Sequence, residues 1–362
     1  MSPHKLPGTL HDVSEGLKTD VGYKRIAAEE AWCPPEMLKI YQQMVETKAL
    51  DDPGFNTMFG FYLSSPSVRT QQIRDYLTDL GEQRLRHMDE RGIDMQIVAL
   101  TSPGVQVMPK DQATSFAAYA NDVLAEGCRN HPTRFAGLTA VAPQDAKAAA
   151  KELERGVTKL GLKGAIINSH TFGEYLDDEK FFPLLEAAEA LDTPIYLHPQ
   201  VPWKSMSAPF LDVGLDGAIY GFGVETGLHL LRLITTGVFD RFPKLTVVVG
   251  HLGEALPFWM YRLDYMNRAG VVSKRYERMQ PLQLGKVSEY LRRNVYVTTS
   301  GFAWEPAIKF CQDVLGVDRV LYAMDYPYQH DVAEVIATDD LDMPQDVKTM
   351  LFQTNAERVF KL

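Results

Sequence analysis

Several polar side chains sit where apolar runs of strand length stop, and together they form a donor set. Glu29-Glu30 end the run that starts at Lys24, Asn168-Ser169-His170 end the run from Leu162, and His198-Pro199 end the run from Thr193. His251-Leu-Gly-Glu254 follow the run from Leu245, and Asp325 ends the run from Arg319. The chain has nine histidines. Three of them, His170, His198 and His251, fall at the ends of three successive runs, whereas chance would scatter them over helices and loops. Each residue has a plainer reading: a strand-terminal Asp caps the next turn, a tip His satisfies a hydrogen bond, and Glu29 or Glu30 faces a helix dipole or solvent. Jointly, two carboxylates and one or two imidazoles make a mixed N/O set suited to a divalent cation such as Mn²⁺ or Zn²⁺.

The elements that must position them follow from periodicity. Eight apolar runs can be counted: 24–32, 93–102, 134–143, 162–169, 193–199, 245–253, 294–301 and 319–327. Runs such as Leu245-Thr-Val-Val-Val249 are almost continuously apolar, as expected of parallel strands covered on both faces. Between them, Ile73, Leu77, Leu80, Leu85 and Met88 recur at helical steps, and Ala146 to Leu160, Asp178 to Leu191, Val224 to Phe239 and Glu305 to Leu315 read as helices. Eight strands alternating with helices predict an α/β chain folded as a (β/α)₈ TIM barrel, whose chemistry gathers at the C-terminal strand ends. The rival, a doubly wound open sheet, opens with a Gly-rich phosphate turn that the first run lacks.

Residues 1–22 read as an N-terminal arm and 23–362 as a single barrel domain. Within it, 33–92 is an insertion over the top after strand one: a helix, an irregular segment around Asp51 to Pro66, then a long helix. A second long loop, 205–223, follows strand five. Long loops at that face tend to carry function.

Composition narrows the classes of function. The 47 acidic against 37 basic residues give a net charge of −10 with no Lys/Arg block, which argues against nucleic acid or an anionic membrane as partner. No apolar stretch approaches the roughly 18 residues of a membrane span. Cys33, Cys128 and Cys311 form no CxxC or Cys/His cluster and fit a reducing compartment. The first 22 residues lack the apolar segment of a secretory signal, so a cytoplasmic location is expected.

Glu29, Tyr196-Leu-His-Pro199, Val249-Gly-His-Leu-Gly-Glu254 and Tyr322-Ala-Met-Asp-Tyr-Pro327 together resemble the amidohydrolase superfamily, in its branch of metal-dependent aromatic-acid decarboxylases. The likeness also runs through Gly22-Tyr-Lys-Arg-Ile-Ala-Ala-Glu-Glu-Ala31, Ala99-Leu-Thr-Ser-Pro-Gly-Val-Gln106 and Gly221-Phe-Gly-Val-Glu-Thr-Gly227, and spans nearly everything after residue 22. It implies one divalent metal, Mn²⁺ with Zn²⁺ as the alternative, held by Glu29, His198 and Asp325. Many relatives carry a second strand-one ligand where this chain has Ala31. Lys163 stands at the start of its strand, away from the tip, which argues against a lysine bridging two metals.

The resemblance further implies a lyase that decarboxylates an ortho-hydroxy aromatic acid. Its leading substrate is 5-carboxyvanillate, giving vanillate and CO₂ in the catabolism of lignin-derived aromatics, with a dihydroxybenzoate as the rival. Asp325 would be ligand and proton donor, while His251 with Glu254 orients substrate or assists proton movement. Arg69, Arg262 and His170 are candidate substrate contacts. Arg262 is expected to reach the neighbouring subunit's site in a homodimer or homotetramer. A mononuclear metal hydrolase is the alternative from another class, weakened by the missing strand-one imidazole.

Overall fold

The computed structural model describes residues 16–362, so the first fifteen residues of the expected arm lie outside it. In chain order the elements are β1 (Ile26–Trp32), four helices α1 (Pro35–Thr47), α2 (Pro53–Ser64), α3 (Val68–Leu77) and α4 (Glu82–Glu90), then β2 (Met95–Leu100) and α5 (Lys110–Asn130). There follow β3 (Phe135–Gly137), β4 (Thr139–Ala140), α6 (Ala146–Arg155), β5 (Ala165–Asn168), α7 (Phe182–Ala190) and β6 (Ile195–His198). After these come α8 (Lys204–Leu211), α9 (Gly221–Thr235), α10 (Val238–Arg241), β7 (Val247–Val249), α11 (Leu256–Ser273), α12 (Val287–Asn294), β8 (Val295–Thr298), α13 (Glu305–Leu315), β9 (Val320–Leu321) and α14 (Val332–Asp339).

All eight apolar runs contain strand, and every pairing between them is parallel, in the orders β1-β2-β3 and β4-β5-β6-β7-β8-β9. The third run appears as two short strands because its amides change partner at Leu138, which donates to Val98 O while Thr139 donates to Gly164 O. β1 and the chain after β9 are joined as well: Ala28 N donates to Tyr322 O at 2.9 Å and Ala31 N to Tyr326 O at 2.7 Å. The strands' aliphatic side chains are buried almost without exception, as their apolar runs demand.

Three local expectations are corrected. The stretch expected to be irregular holds α2, whose sequence is apolar all round and lacks helical periodicity. Its start is nonetheless marked, with Asp52 accepting from Gly54 N at 3.1 Å and Pro53 in the first turn. The long helix expected after it is two, α3 and α4, parted around Thr78 to Gly81. The loop after strand five contains α8.

Strand eight also ends early, at Leu321, four residues before Asp325. The amides beyond it leave the ladder for other acceptors. Tyr322 N bonds Leu351 O, Ala323 N bonds Thr299 Oγ1, and Met324 and Tyr326 N bond the carboxylate of Glu30. Side chains replace the neighbouring strand as hydrogen-bond acceptors.

Candidate active site

The strand ends converge. One ligand atom each from Glu29, His198 and Asp325 lies within 4.8 Å of the others. Glu29 is held from one side: Tyr196 OH, Thr298 Oγ1 (2.6 Å) and Ser300 Oγ (2.5 Å) all donate to Oε2. Its other oxygen, Oε1, is buried without a hydrogen-bond partner and lies 3.5 Å from His198 Nε2 and 3.7 Å from His251 Nε2. Gly250 makes room for this carboxylate, since a Cβ there would stand 2.6 Å from both oxygens.

His198 Nδ1 lies 2.8 Å from the Pro199 carbonyl, so it donates there and Nε2 presents a lone pair toward Glu29. Burial holds this imidazole below its usual pKa, against the pull of Glu29. Burial works against the charge on Glu29 too, but the imidazoles of His251 and His198 and then the Ser300 and Thr298 hydroxyls bring it below the usual carboxylate range. Asp325 goes the other way, held well above that range by burial and then by the Glu29 charge. Two acids this close cannot both ionise freely without a cation between them. A bare buried carboxylate oxygen, an imidazole lone pair and a second carboxylate fit a divalent cation.

His251 and Glu254 lie in a turn of unusual hand. From His251 to Ala255 every φ is positive, between 51° and 78°, and four of these five residues are not glycine. Such backbone costs roughly 1–2 kcal/mol per non-Gly residue, so it persists only where its surroundings enforce it. Glu254 is therefore not one turn into the next helix, which starts at Leu256. The left-handed turn sets Glu254 Oε1 at 2.8 Å from His251 Nδ1. Burial opposes a charge on His251, but Glu254 and then Glu29 outweigh it and push the imidazole up to about 10.

Above this floor opens a cavity whose far wall is Met58, Phe59, Tyr62 and Leu63 of α2 with Arg69 and Arg74 of α3, and whose base includes His198, His251 and Asp325. The wall is mainly apolar with two guanidinium groups. Arg69 Nη2 donates to Tyr328 O at 2.9 Å and Arg74 Nη1 to Tyr62 O at 2.5 Å.

Residues 70–362 match the family model described as Amidohydrolase. The chain belongs to the amidohydrolase family. Among solved structures, 5-carboxyvanillate decarboxylase from Novosphingobium aromaticivorans, complexed with manganese and 4-hydroxy-3-methoxy-5-nitrobenzoic acid, matches with a TM-score of 0.94 at 54% identity. The match covers 96% of this chain and 98% of that one. The 5-carboxyvanillate decarboxylase of Sphingomonas paucimobilis matches with a TM-score of 0.88 at 39% identity over 94% and 99% of the two chains. Gamma-resorcylate decarboxylase from Polaromonas sp. is 35% identical over 307 residues, 82% of this chain and 92% of its own length.

Not every expected site residue of this amidohydrolase reaches the cavity. His170 is buried behind it, with Nε2 3.1 Å from Val201 O and Nδ1 accepting from Gly173 N at 3.2 Å. With both nitrogens occupied by backbone and burial pushing it down to about 4, it braces the loop after β5. Arg262 sits on the exposed face of α11, away from its own chain's cavity lining. Lys163 Nζ donates to the Lys361 carbonyl, remote from the strand tips.

The sequence reading missed Tyr196, Thr298 and Ser300, and it left Glu30 without a role. Period-two spacing would have found the hydroxyls: Tyr196 shares a strand face with His198, and Thr298 with Ser300. Arg74 lay inside a helical pattern with nothing to single it out.

Proposed function

We propose that this chain converts 5-carboxyvanillate to vanillate and CO₂. At the coarser level it is a decarboxylase of aromatic acids, a carboxy-lyase, the class of activity named for each of the three relatives above. The observation that carries the finer reading is the cavity itself: a largely apolar slot lined by two arginines, with His198, His251 and Asp325 at its base and Glu29 within ligand distance of His198 and Asp325 beneath it. An apolar slot suits a flat ring, and an arginine suits a carboxylate that is retained while another leaves.

The donor set fits one divalent cation, Mn²⁺ by likeness to the manganese-bound relative, with Glu29, His198 and Asp325 as its holders. When bound, the cation supplies positive charge that lowers the pKa of a phenol held beside it. The remaining work falls to the chain. Asp325 takes the proton of the phenol adjacent to the departing carboxylate and gives a proton to the ring carbon that bears that carboxylate. The bond to the carboxylate then breaks, its electron pair restores the aromatic ring, and CO₂ leaves. The phenolate product takes a proton from water, so one proton is consumed per turnover. His251, kept charged by Glu254, faces the site as a fixed cation that orients the anionic substrate, and Arg69 grips the retained carboxylate.

We read residues 23–362 as one barrel domain closed by the bonds from Ala28 and Ala31 to the chain after β9, with 33–92 as the insertion that roofs the site. Arg262 is assigned to the neighbouring subunit's site in a homodimer or homotetramer. In support, Phe258, Trp259 and Tyr261 beside it are exposed on the same helix. A cytoplasmic location accords with three free cysteines and with no described helix being long and apolar enough to cross a membrane.

The rival substrate is gamma-resorcylate, favoured by the 35% identical relative. The test is CO₂ release from both acids by enzyme reconstituted with Mn²⁺. Turnover of 5-carboxyvanillate at a kcat/KM well above that for gamma-resorcylate is expected. The reverse order would reassign the substrate, and no CO₂ from either acid would overturn the reading.

A further inference from the structure

We infer that Glu30 is the positioning residue for Asp325, gripping the backbone on both sides of it so that its carboxylate turns toward Glu29 and His198. Asp325 is in no strand and has a φ of +81°, a conformation that an L side chain rarely adopts. A local constraint has to enforce it. Glu30 is 1% exposed, and each of its oxygens accepts one amide, Oε1 from Met324 N at 3.0 Å and Oε2 from Tyr326 N at 2.9 Å. The two amides belong to the residues immediately before and after Asp325, so one carboxylate brackets one aspartate.

The bracket is anchored in turn. Ala31 N, next along β1, donates to Tyr326 O at 2.7 Å. Arg84, fully buried, donates to Ala31 O at 2.6 Å, and its guanidinium lies 4.6 Å from the centre of the Tyr326 ring. A glutamine in place of Glu30 has one acceptor and one donor, so it would meet one of the two amides with an N–H of its own. Neighbouring acids on β1 thus divide the work by the alternation of a strand: Glu29 faces the donor set, and Glu30 holds the loop that delivers the partner carboxylate.

The inference rests on the reading of Asp325 as ligand and proton donor, and its test separates the two. Glu30→Gln is compared with Thr299→Val, which releases the neighbouring amide of Ala323 in the same loop without touching the bracket. The measurements are Mn²⁺ affinity from the electron paramagnetic resonance of free Mn²⁺, the Tm of metal-free protein, and kcat. Glu30→Gln is expected to weaken Mn²⁺ about 10–100-fold, as loss of a group that orients a ligand typically does, and to lower kcat, with Thr299→Val changing affinity by much less.

Should Glu30→Gln fail to fold, Glu30→Asp, one methylene too short to reach both amides, is read by the same criteria. A lowered Tm with Mn²⁺ affinity unchanged would make Glu30 merely structural and overturn the inference. So would an equal loss of affinity in Thr299→Val. If wild-type enzyme binds Mn²⁺ while Glu30→Gln behaves as wild type, this inference alone falls. If the wild type neither binds Mn²⁺ nor releases CO₂, the functional reading falls and takes this inference with it.

Discussion

The floor and the roof of the cavity are built on different principles. On the floor, Glu29 is fixed by three hydroxyls, His198 by a backbone carbonyl and His251 by Glu254, and each side chain comes from a strand or the turn beyond it. The roof comes from α2 and α3, where Tyr62 is half-buried and Arg69 exposed; Arg74 is held by a single bond to the Tyr62 carbonyl within the roof, and Arg69 by a single bond to the Tyr328 carbonyl in the loop after β9. The floor is over-determined. In the roof Phe59 is packed against Tyr41 and Phe55, but the polar side chains have fewer hydrogen-bond constraints than those of the floor, so their exchange should disturb the chemistry beneath less.

If the division holds, floor changes strike kcat and metal, and roof changes strike KM. The largest effect is expected from removing the cation: treatment with a chelator should take CO₂ release to background, and Mn²⁺ should restore it. Recovery with no metal added would break the comparison at its base. Next comes Asp325→Asn with metal content verified, where loss of the proton donor should lower kcat by about 10²–10⁴-fold with little change in KM. Solvent deuterium entering the product at an undiminished rate would remove Asp325 from the proton path. Arg69→Met tests the roof. Losing one charge-assisted contact, worth about 1.5–3 kcal/mol, should raise KM roughly 10–150-fold and leave kcat near that of wild type. A fall in kcat with KM unchanged would place Arg69 with the floor.

The same contrast decided what could be read from the sequence. The parallel strands were legible because β-branched runs such as Val247-Val-Val249 have one stable use. His198 was legible because a strand end fixes where its last side chain points, whereas Glu29, inside β1, and Asp325, beyond β9, were legible as ligands through the resemblance of their surrounding motifs. The role of Glu30 was not, since consecutive acids on a strand face opposite ways and nothing local says which way each turns. Strand eight was read too long, because its amides leave the ladder for Thr299 and Glu30, acceptors distant in sequence. In the roof, α2 escaped notice because Phe55, Phe59, Phe61 and Tyr62 surround it with apolar surface and erase the period. His170 was placed with the substrate by its strand-end position, while its two nitrogens serve Val201 and Gly173.

The smallest predicted effect lies behind the floor, where Glu225 of α9 ties β5's exit to the helices. Its carboxylate accepts from Ser169 Oγ at 3.0 Å and Tyr175 OH at 3.1 Å and is completely buried. Burial pushes it from 4.5 up to about 7, against those two hydrogen bonds and the attraction of Arg232. His229, pushed down to about 3 by burial, stays neutral beside it and does not titrate in the same range. An acid whose folded pKa lies above its unfolded one is favoured in its protonated form. The stability this allows is fully present below about 4.5, falls as pH rises through the interval, and is gone above about 7. The gap corresponds to an upper bound of about 3 kcal/mol. Glu225→Gln should therefore change the Tm of metal-free protein little at pH 5, raise it by a few degrees at pH 8.5, and leave Mn²⁺ affinity untouched. A loss of Mn²⁺ affinity in this variant would mean that the floor extends back to α9, and the line between what performs the chemistry and what merely supports it would have to be redrawn one layer deeper.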